Sequence, residues 1–365
     1  MSQHSNFKKS DNFKKSDNFK KGDYSQGVLL KLLCVCALPF SIMAADYDPA
    51  TADSEILVPK TVSRALFTDI VTTDTGAIAV GERGHILKTS NYTDWVQLPV
   101  PTRSLLTNVY AKGTNLWAVG HEEVILHSAD GGSTWERQHV NSDAFGPLLD
   151  ILFVDDNRGF AVGAEGKMLT TADSGKTWVD GAITSRIVGL PAAAVSVDAN
   201  DSGLASDDIG VDETPPHLNA IVQSKAGLLI VGETGAAYRS RDEGASWTRI
   251  DFPYSGPLFG AVVLDDQSII AYGLAGNAYL TADLGSSWTK LETNTDATLF
   301  GAVAVSGARA VLVGARGTFL TKSADSNALK AFTFNDGGVL GGVVQRGESD
   351  FTVVGENGIL AYSPK

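Results

Sequence analysis

Cysteine is nearly absent from these 365 residues, and the two present, Cys34 and Cys36, stand inside one apolar stretch. A product cleaved beyond that stretch contains none, so no disulfide would hold its fold. The residue before each cysteine, Leu33 or Val35, is too large for the small-residue position of a lipoprotein signal, which argues against a lipid anchor. Long hydrophobic runs are missing too: the longest uninterrupted one, Leu32 to Phe40, has signal-peptide length and falls well short of a membrane span. Positive charge is in the minority, with 29 Lys and Arg against 42 Asp and Glu and a net charge of −13. That balance argues against non-specific attraction to nucleic acid or anionic lipid and fits solubility or a basic partner. With 43% hydrophobic residues, 19% charged residues and 38 glycines, the composition is that of a packed, turn-rich protein rather than a disordered one.

The chain divides unevenly. Residues 1–27 are a Lys-rich low-complexity extension built on the hexad SDNFKK, too poor in apolar groups to pack. Residues 28–45 form a signal peptide or N-terminal hydrophobic segment, with cleavage expected after Ala44 or Ala45; Ile42 or Met43 at position −3 leaves an uncleaved anchor as the alternative. The chain is therefore expected to be exported, periplasmic or secreted. Losing residues 1–45 removes seven lysines and three aspartates, so the mature part carries −17.

What is present in abundance is a repeat. The phrase Val-Gly-x-x-Gly, or a close variant, recurs as AVGERG, AVGHEE, AVGAEG, IVGETG, AYGLAG, LVGARG and VVGENG. Its first glycines are Gly81, Gly120, Gly163, Gly232, Gly273, Gly314 and Gly355, spaced by 39, 43, 69, 41, 41 and 41 residues. A period near 41 matches the four-stranded blade of a β-propeller, so the sequence predicts an all-β, seven-bladed propeller over 54–365. In the fifth unit LFGAVVLDD, SIIAYG, NAYLTAD and SSWTKLE read as the four strands, from the axis outward. Gly and Ala on the inner strands suit the crowded centre, and the glycine pair is expected to supply positive φ to the turn between second and third strands. The seventh repeat stops after its third strand. Glu55-Ile56-Leu57-Val58-Pro59 resembles the outer strand of blade one, Trp95 to Pro99, so residues 54–59 are expected to complete blade seven as a closing N-terminal strand.

Between third and outer strands stand SADGGSTW (128–135), TADSGKTW (171–178), SRDEGASW (240–247) and TADLGSSW (281–288). These resemble the Asp-box of BNR-type repeats. Each aspartate falls ten residues after the Val-Gly glycine, which gives Asp130, Asp173, Asp242 and Asp283, with Trp135, Trp178, Trp247 and Trp288, one place in four blades. A structural role is expected: the carboxylate caps its own turn and the indole packs between blades, and four such aspartates around a ring cannot converge on one substrate. Blade one carries a shortened version, TSNYTDW, and blade six a decayed one, TKSADSNAL.

Val-Gly-x-x-Gly, the blade length and the Asp-box tail together resemble the photosystem II assembly and stability factor family of cyanobacteria and plants, over nearly all of residues 54–365. Relatives also occur in non-photosynthetic bacteria, often encoded beside exporters of the RND class. The resemblance implies a lumenal or periplasmic propeller that holds a membrane-protein client, with an arginine-rich patch linked to client binding; the acidic mature chain departs from that patch.

Second-to-third turns and blade-to-blade connections must share the face opposite the Asp-boxes, which makes that face the expected partner-binding surface. It receives Glu82, Arg83, His121, Glu122, Glu165, Glu233, Arg316, Glu356 and Asn357 from turns, and Arg64, Arg103 and Arg186 from or near connections, as a polar ring about the channel mouth. The 69-residue spacing places an acidic insert at 183–217 between blades three and four, either a binding loop or a disordered one. Enzymatic constellations are weak. SRIV (185–188) and TRID (248–251) match a sialidase motif poorly, and the doublets Asp155-Asp156 and Asp265-Asp266 belong to turns on the opposite face. His121-Glu122-Glu123 lacks the second zinc-protease histidine, since Ile125 stands there. The sequence thus predicts a non-catalytic exported scaffold, without cofactor or metal, that assists a membrane protein or membrane complex such as an RND-type exporter. A glycan-binding protein or a sialidase-like glycoside hydrolase is the alternative.

Overall fold

Period-two alternation in each repeat buries both faces of its strands. In Gly76–Gly81, Ala77 and Ala79 turn to one side and Ile78 and Val80 to the other, all fully buried. A strand apolar on both faces must be packed between two layers, and seven such strands form a ring. The computed structural model describes residues 47–183, 215–334 and 337–364. It is a seven-bladed all-β propeller of antiparallel sheets, six with four strands and blade seven with three among the described residues. The inner strands are Phe67–Thr73, Leu106–Lys112, Leu148–Phe153, Leu218–Ser224, Leu258–Val263, Leu299–Val305 and Leu340–Gln345.

The core is seven clusters, one per seam. Ile78, Val80 and Ile86 of blade one meet Leu106, Leu116 and Trp135 of blade two, while Ala77, Ala79 and Leu87 meet Val344 and Val354 of blade seven. The other five seams repeat the arrangement. No blade has a core of its own.

The two repeated glycines serve different ends. The second, at Gly84, Gly166, Gly235, Gly276 and Gly317, adopts the positive φ expected, from 64° to 72°. The first does not: Gly81 and Gly314 have φ of −173° and −174°, extended backbone open to any residue. Its reason is close approach. A Cβ at any of the seven would overlap the backbone carbonyl just ahead of the inner strand, Leu66 O for Gly81 and Thr298 O for Gly314. In blade two Glu123 stands where the second glycine would be, at φ 48°, with its buried carboxylate 3.0 Å from Lys167 Nζ.

Residues 54–59 do not extend blade seven. Ser54 N–H donates to Val100 O at 2.8 Å, and the side-chain amide of Gln97 accepts from Leu57 N–H and donates to Glu55 O, each at 2.8 Å. The segment therefore lies against the outer strand of blade one, and Pro59 opens the short helix Pro59–Val62. Ile56 and Val58 remain 55% and 66% exposed, so their strand-like pattern buries nothing. Closure instead repeats the glycine interlock of four other seams. The second glycine of blades one, four, five and six lies under the connection to the next blade, and Gly358 lies in the same way under Ser63 and Arg64, the connection into blade one. Ile359 N–H also donates to Ser63 O at 3.2 Å.

Candidate functional site

The two faces of the ring differ in chemistry. On the Asp-box face, Asp130 accepts the N–H groups of Ser133 and Thr134 at 2.8 and 2.9 Å and the hydroxyls of Ser128 and Thr134 at 2.8 and 2.7 Å. Asp173, Asp242 and Asp283 each accept one N–H and one hydroxyl from Thr177, Ser246 and Ser287 respectively. Led by the hydroxyls of Ser246 and Ser287, these bonds bring Asp242 and Asp283 to about 2, while the amide of Thr134 and the hydroxyl of Thr177 hold Asp130 and Asp173 below the usual range. Carboxylates so occupied are turn staples. Each tryptophan packs across a seam, as Trp247 does edge-on to Phe160 of blade three with centroids 6.1 Å apart. In blade one Asn91 Oδ1 takes the aspartate's part, accepting Thr93 and Asp94 N–H at 3.0 and 2.8 Å. Asp155 and Asp265 are turn residues too: Asp155 accepts Asn157 and Arg158 N–H at 2.8 and 2.7 Å, and Asp265 accepts Gly307 and Ala308 N–H from the next blade.

The opposite face carries the turns. Their middle residues, among them Arg83, Glu122, Glu165 and Arg316, sit at φ of 52° to 57°. Arg64, Arg83, Glu165, Arg316, Glu356 and Asn357 are exposed, while Glu82, Arg103, His121, Glu122 and Glu233 are half-buried. Several are engaged locally. Glu82 accepts Leu66 N–H at 3.2 Å, Glu233 lies 3.6 Å from His217, and Arg316 pairs with Asp296. Arg103 donates to Asp53 O at 2.6 Å and, with Arg83, His85 and Tyr47, lines a side cavity of about 170 Å³. Arg186 and most of the 183–217 insert fall outside the described residues. Of the twelve, Glu356 alone among the described residues lines the axial mouth.

The mouth is built from inner-strand residues that sequence reasoning did not single out. Every inner strand bulges at one place: Phe67 pairs with Gly81 and Asp69 with Val80, leaving Thr68 extra, and the slip recurs at Thr107, Leu149, Asn219, Phe259, Phe300 and Gly341. A bulge re-aims its extra side chain. Thr68 and Thr107 hydroxyls donate to the next blade's Leu106 and Leu148 carbonyls at 2.7 Å, and Asn219 Nδ2 to Leu258 O at 2.8 Å. In blades five and six the bulged residues are Phe259 and Phe300, with rings 5.4 Å apart. With Leu66, Leu149 and Val339 they make an apolar mouth of about 300 Å³.

One residue deeper, at the position after the bulge, the seven blades supply Asp69, Asn108, Asp150, Ala220, Gly260, Gly301 and Gly342 to a channel of about 420 Å³. Asp69 accepts Val109 N–H of blade two at 3.0 Å, and Asp150 accepts Ile151 and Ile221 N–H at 2.8 Å each. Burial pushes Asp69 up to about 6 and Asp150 up to about 7 against these bonds, and the charge of Asp69 adds to the rise at Asp150. The sequence signal was there: blades one and three read TDIV and LDIL where blades five and six read FGAV.

Comparison with known proteins follows the same repeat. Residues 60–172 and 87–228 match the family described as photosynthesis system II assembly factor YCF48. The photosystem II assembly protein Ycf48 of Synechococcus sp. (strain JA-3-3Ab) is 32% identical over 87 residues, 22% of this chain and 26% of that protein, so the chain spans about a quarter of that relative's length. Among solved structures, YCF48 bound to D1 peptide superposes with a TM-score of 0.62 at 16% identity, over 88% of this chain and 98% of the other. YCF48 from Cyanidioschyzon merolae gives 0.60 at 15%, over 86% and 98%. Virginiamycin B lyase from Staphylococcus aureus gives 0.65 at 11%, over 82% and 95%. At these identities the structural likeness carries the fold, and a fold shared by a lyase and an assembly factor selects neither activity.

Proposed function

From a chain that carries the repeat of the photosystem II assembly factor family, we propose that this protein is a non-catalytic scaffold. In this proposal its turn face holds a segment of a membrane-protein client during assembly. The supporting observation is the apolar mouth of Phe259, Phe300, Leu66, Leu149 and Val339, on the one face free of Asp-box staples. A relative of the same fold has been solved with a peptide bound. We further propose export by way of the segment 28–45 and, as client, a membrane complex such as an RND-type exporter.

The hydrolytic alternative would have to use Asp69 and Asp150, the two carboxylates that line the described channel, as its acid and base. The test is co-purification of tagged protein with identified membrane proteins, comparing wild type with Phe259→Ser/Phe300→Ser. Loss of one membrane client with an unchanged far-UV spectrum is expected. Release of fluorophore from a glycoside, abolished by Asp150→Asn, would overturn the scaffold.

A further inference from the structure

The ring does not need acids at its axis: five of seven blades place Asn, Ala or Gly at the position of Asp69 and Asp150. Both acids stand half-buried on the channel wall, where partial loss of water opposes their charge. Among the described residues no lysine, arginine or histidine lines the channel; its other titratable groups there are the phenols of Tyr110 and Tyr272, both raised by burial and neutral near pH 7. Two further groups await a partner. Asn108 Oδ1, from the blade between the two acids, is buried without a hydrogen bond among the described residues. Tyr272 is 5% exposed, and its hydroxyl occupies the space that a side chain at Gly260 would fill, aimed into the channel and near enough to feel both carboxylates. Its hydroxyl makes no hydrogen bond to the protein among the described residues.

The geometry points to the axial channel as the receptor for one lysine or arginine side chain of the client, its stem in the Phe259–Phe300 mouth and its cation held by Asp69, Asp150 and Asn108 Oδ1. This rests on the client-binding reading of the turn face and supplies its specificity. An organic cation fits better than a bare metal ion, because an apolar mouth adds contact for an aliphatic stem and the aromatic faces favour a cation passing between them. A buried cation must be paired and hydrogen-bonded, and the two acids, the amide oxygen and the phenol oxygen supply acceptors for an ammonium's three donors or a guanidinium's five.

The experiment is calorimetry on the full chain with the capped peptide Ac-Leu-Lys-Leu-NH2, its norleucine counterpart, hexylammonium and calcium. The lysine peptide is expected to bind at least tenfold more tightly than the norleucine peptide, and Asp69→Asn/Asp150→Asn to remove that advantage. Asparagine can still accept Val109 and Ile221 N–H, so the variant keeps the seams. Lysine stays charged, so binding should weaken more than tenfold from pH 8 to pH 5 as the acids take up protons. Equal binding of the two peptides, or an advantage that survives the double variant, overturns the inference. Binding of hexylammonium or calcium without the peptide overturns the client-borne source. Client capture that is lost in Phe259→Ser/Phe300→Ser but kept in Asp69→Asn/Asp150→Asn sinks the channel inference and leaves the scaffold standing.

Discussion

If the seam between blades seven and one is closed as tightly as the others, Val354→Ala should cost what the same change costs elsewhere. Val354 is fully buried and packs, beside Val344 of its own blade, with Phe67 and Ile70 across that seam; Val231, its equivalent in blade four, is fully buried against Leu258 and Ile269. Each truncation removes two methyl groups, about 1.6 kcal/mol of transfer free energy. A cavity term of about 1 kcal/mol brings the loss to about 2.5 kcal/mol in either blade. Urea unfolding followed by far-UV circular dichroism gives both values from the midpoint shift at a common slope. Agreement within about 0.5 kcal/mol is expected, within the additivity error of separate sites. A loss below about 1 kcal/mol for Val354→Ala alone would show a seam already open, and the glycine interlock at Gly358 would not explain closure.

Three further outcomes follow from the same geometry. Gly314→Ala, which meets backbone at an unstrained φ, should destabilise by about 3 kcal/mol, and Gly307→Ala, at φ 81° but in open space, by about 1 to 2 kcal/mol; thermal melts would rank them, and the reverse order would refute close approach as the cause. Gln97→Ala should release residues 54–58 to protease while shifting the unfolding midpoint by less than about 1 kcal/mol; collapse of the whole ring would restore the segment as a closing element. Because burial raises Asp69 to about 6 and Asp150 to about 7, the folded state holds protons that the unfolded chain has released. Their stabilising share is full below pH 4 and lost as pH rises through 6 and 7, by at most about 3 and 4 kcal/mol and less where channel water reaches them. Wild type should therefore lose stability relative to Asp69→Asn/Asp150→Asn between pH 4 and pH 8, and parallel curves would refute the burial of these acids.

Blade number was legible because each repeat needs a glycine where backbone meets backbone, and that demand prints itself as Val-Gly six times and Tyr-Gly once. The Asp-box turns were legible for the same reason: Asp130 and its kin bond within eight consecutive residues. Closure was misread because Glu55 to Val58 has the composition of a strand, yet its partner is settled by two bonds to the side chain of Gln97, which no alternation pattern encodes. Asp69, Asp150, Phe259 and Phe300 escaped notice because their importance lies in the bulge that re-aims the inner strand. The departure from small residues in three blades was visible, but its meaning depended on knowing that those seven positions face one another.

The bulge sets one residue of each inner strand at the mouth. At Thr68, Thr107 and Asn219 that residue also ties the seam to the next blade, while Leu149, Phe259, Phe300 and Gly341 form no such bond, so four of the seven mouth positions can change without loosening the walls. The seven read Thr, Thr, Leu, Asn, Phe, Phe and Gly around the ring. Because the aromatic pair sits to one side of the axis and the acids beneath it on another, a ring with near sevenfold repetition gains a single compass bearing, and an occupant reaching both can enter in only one rotational setting.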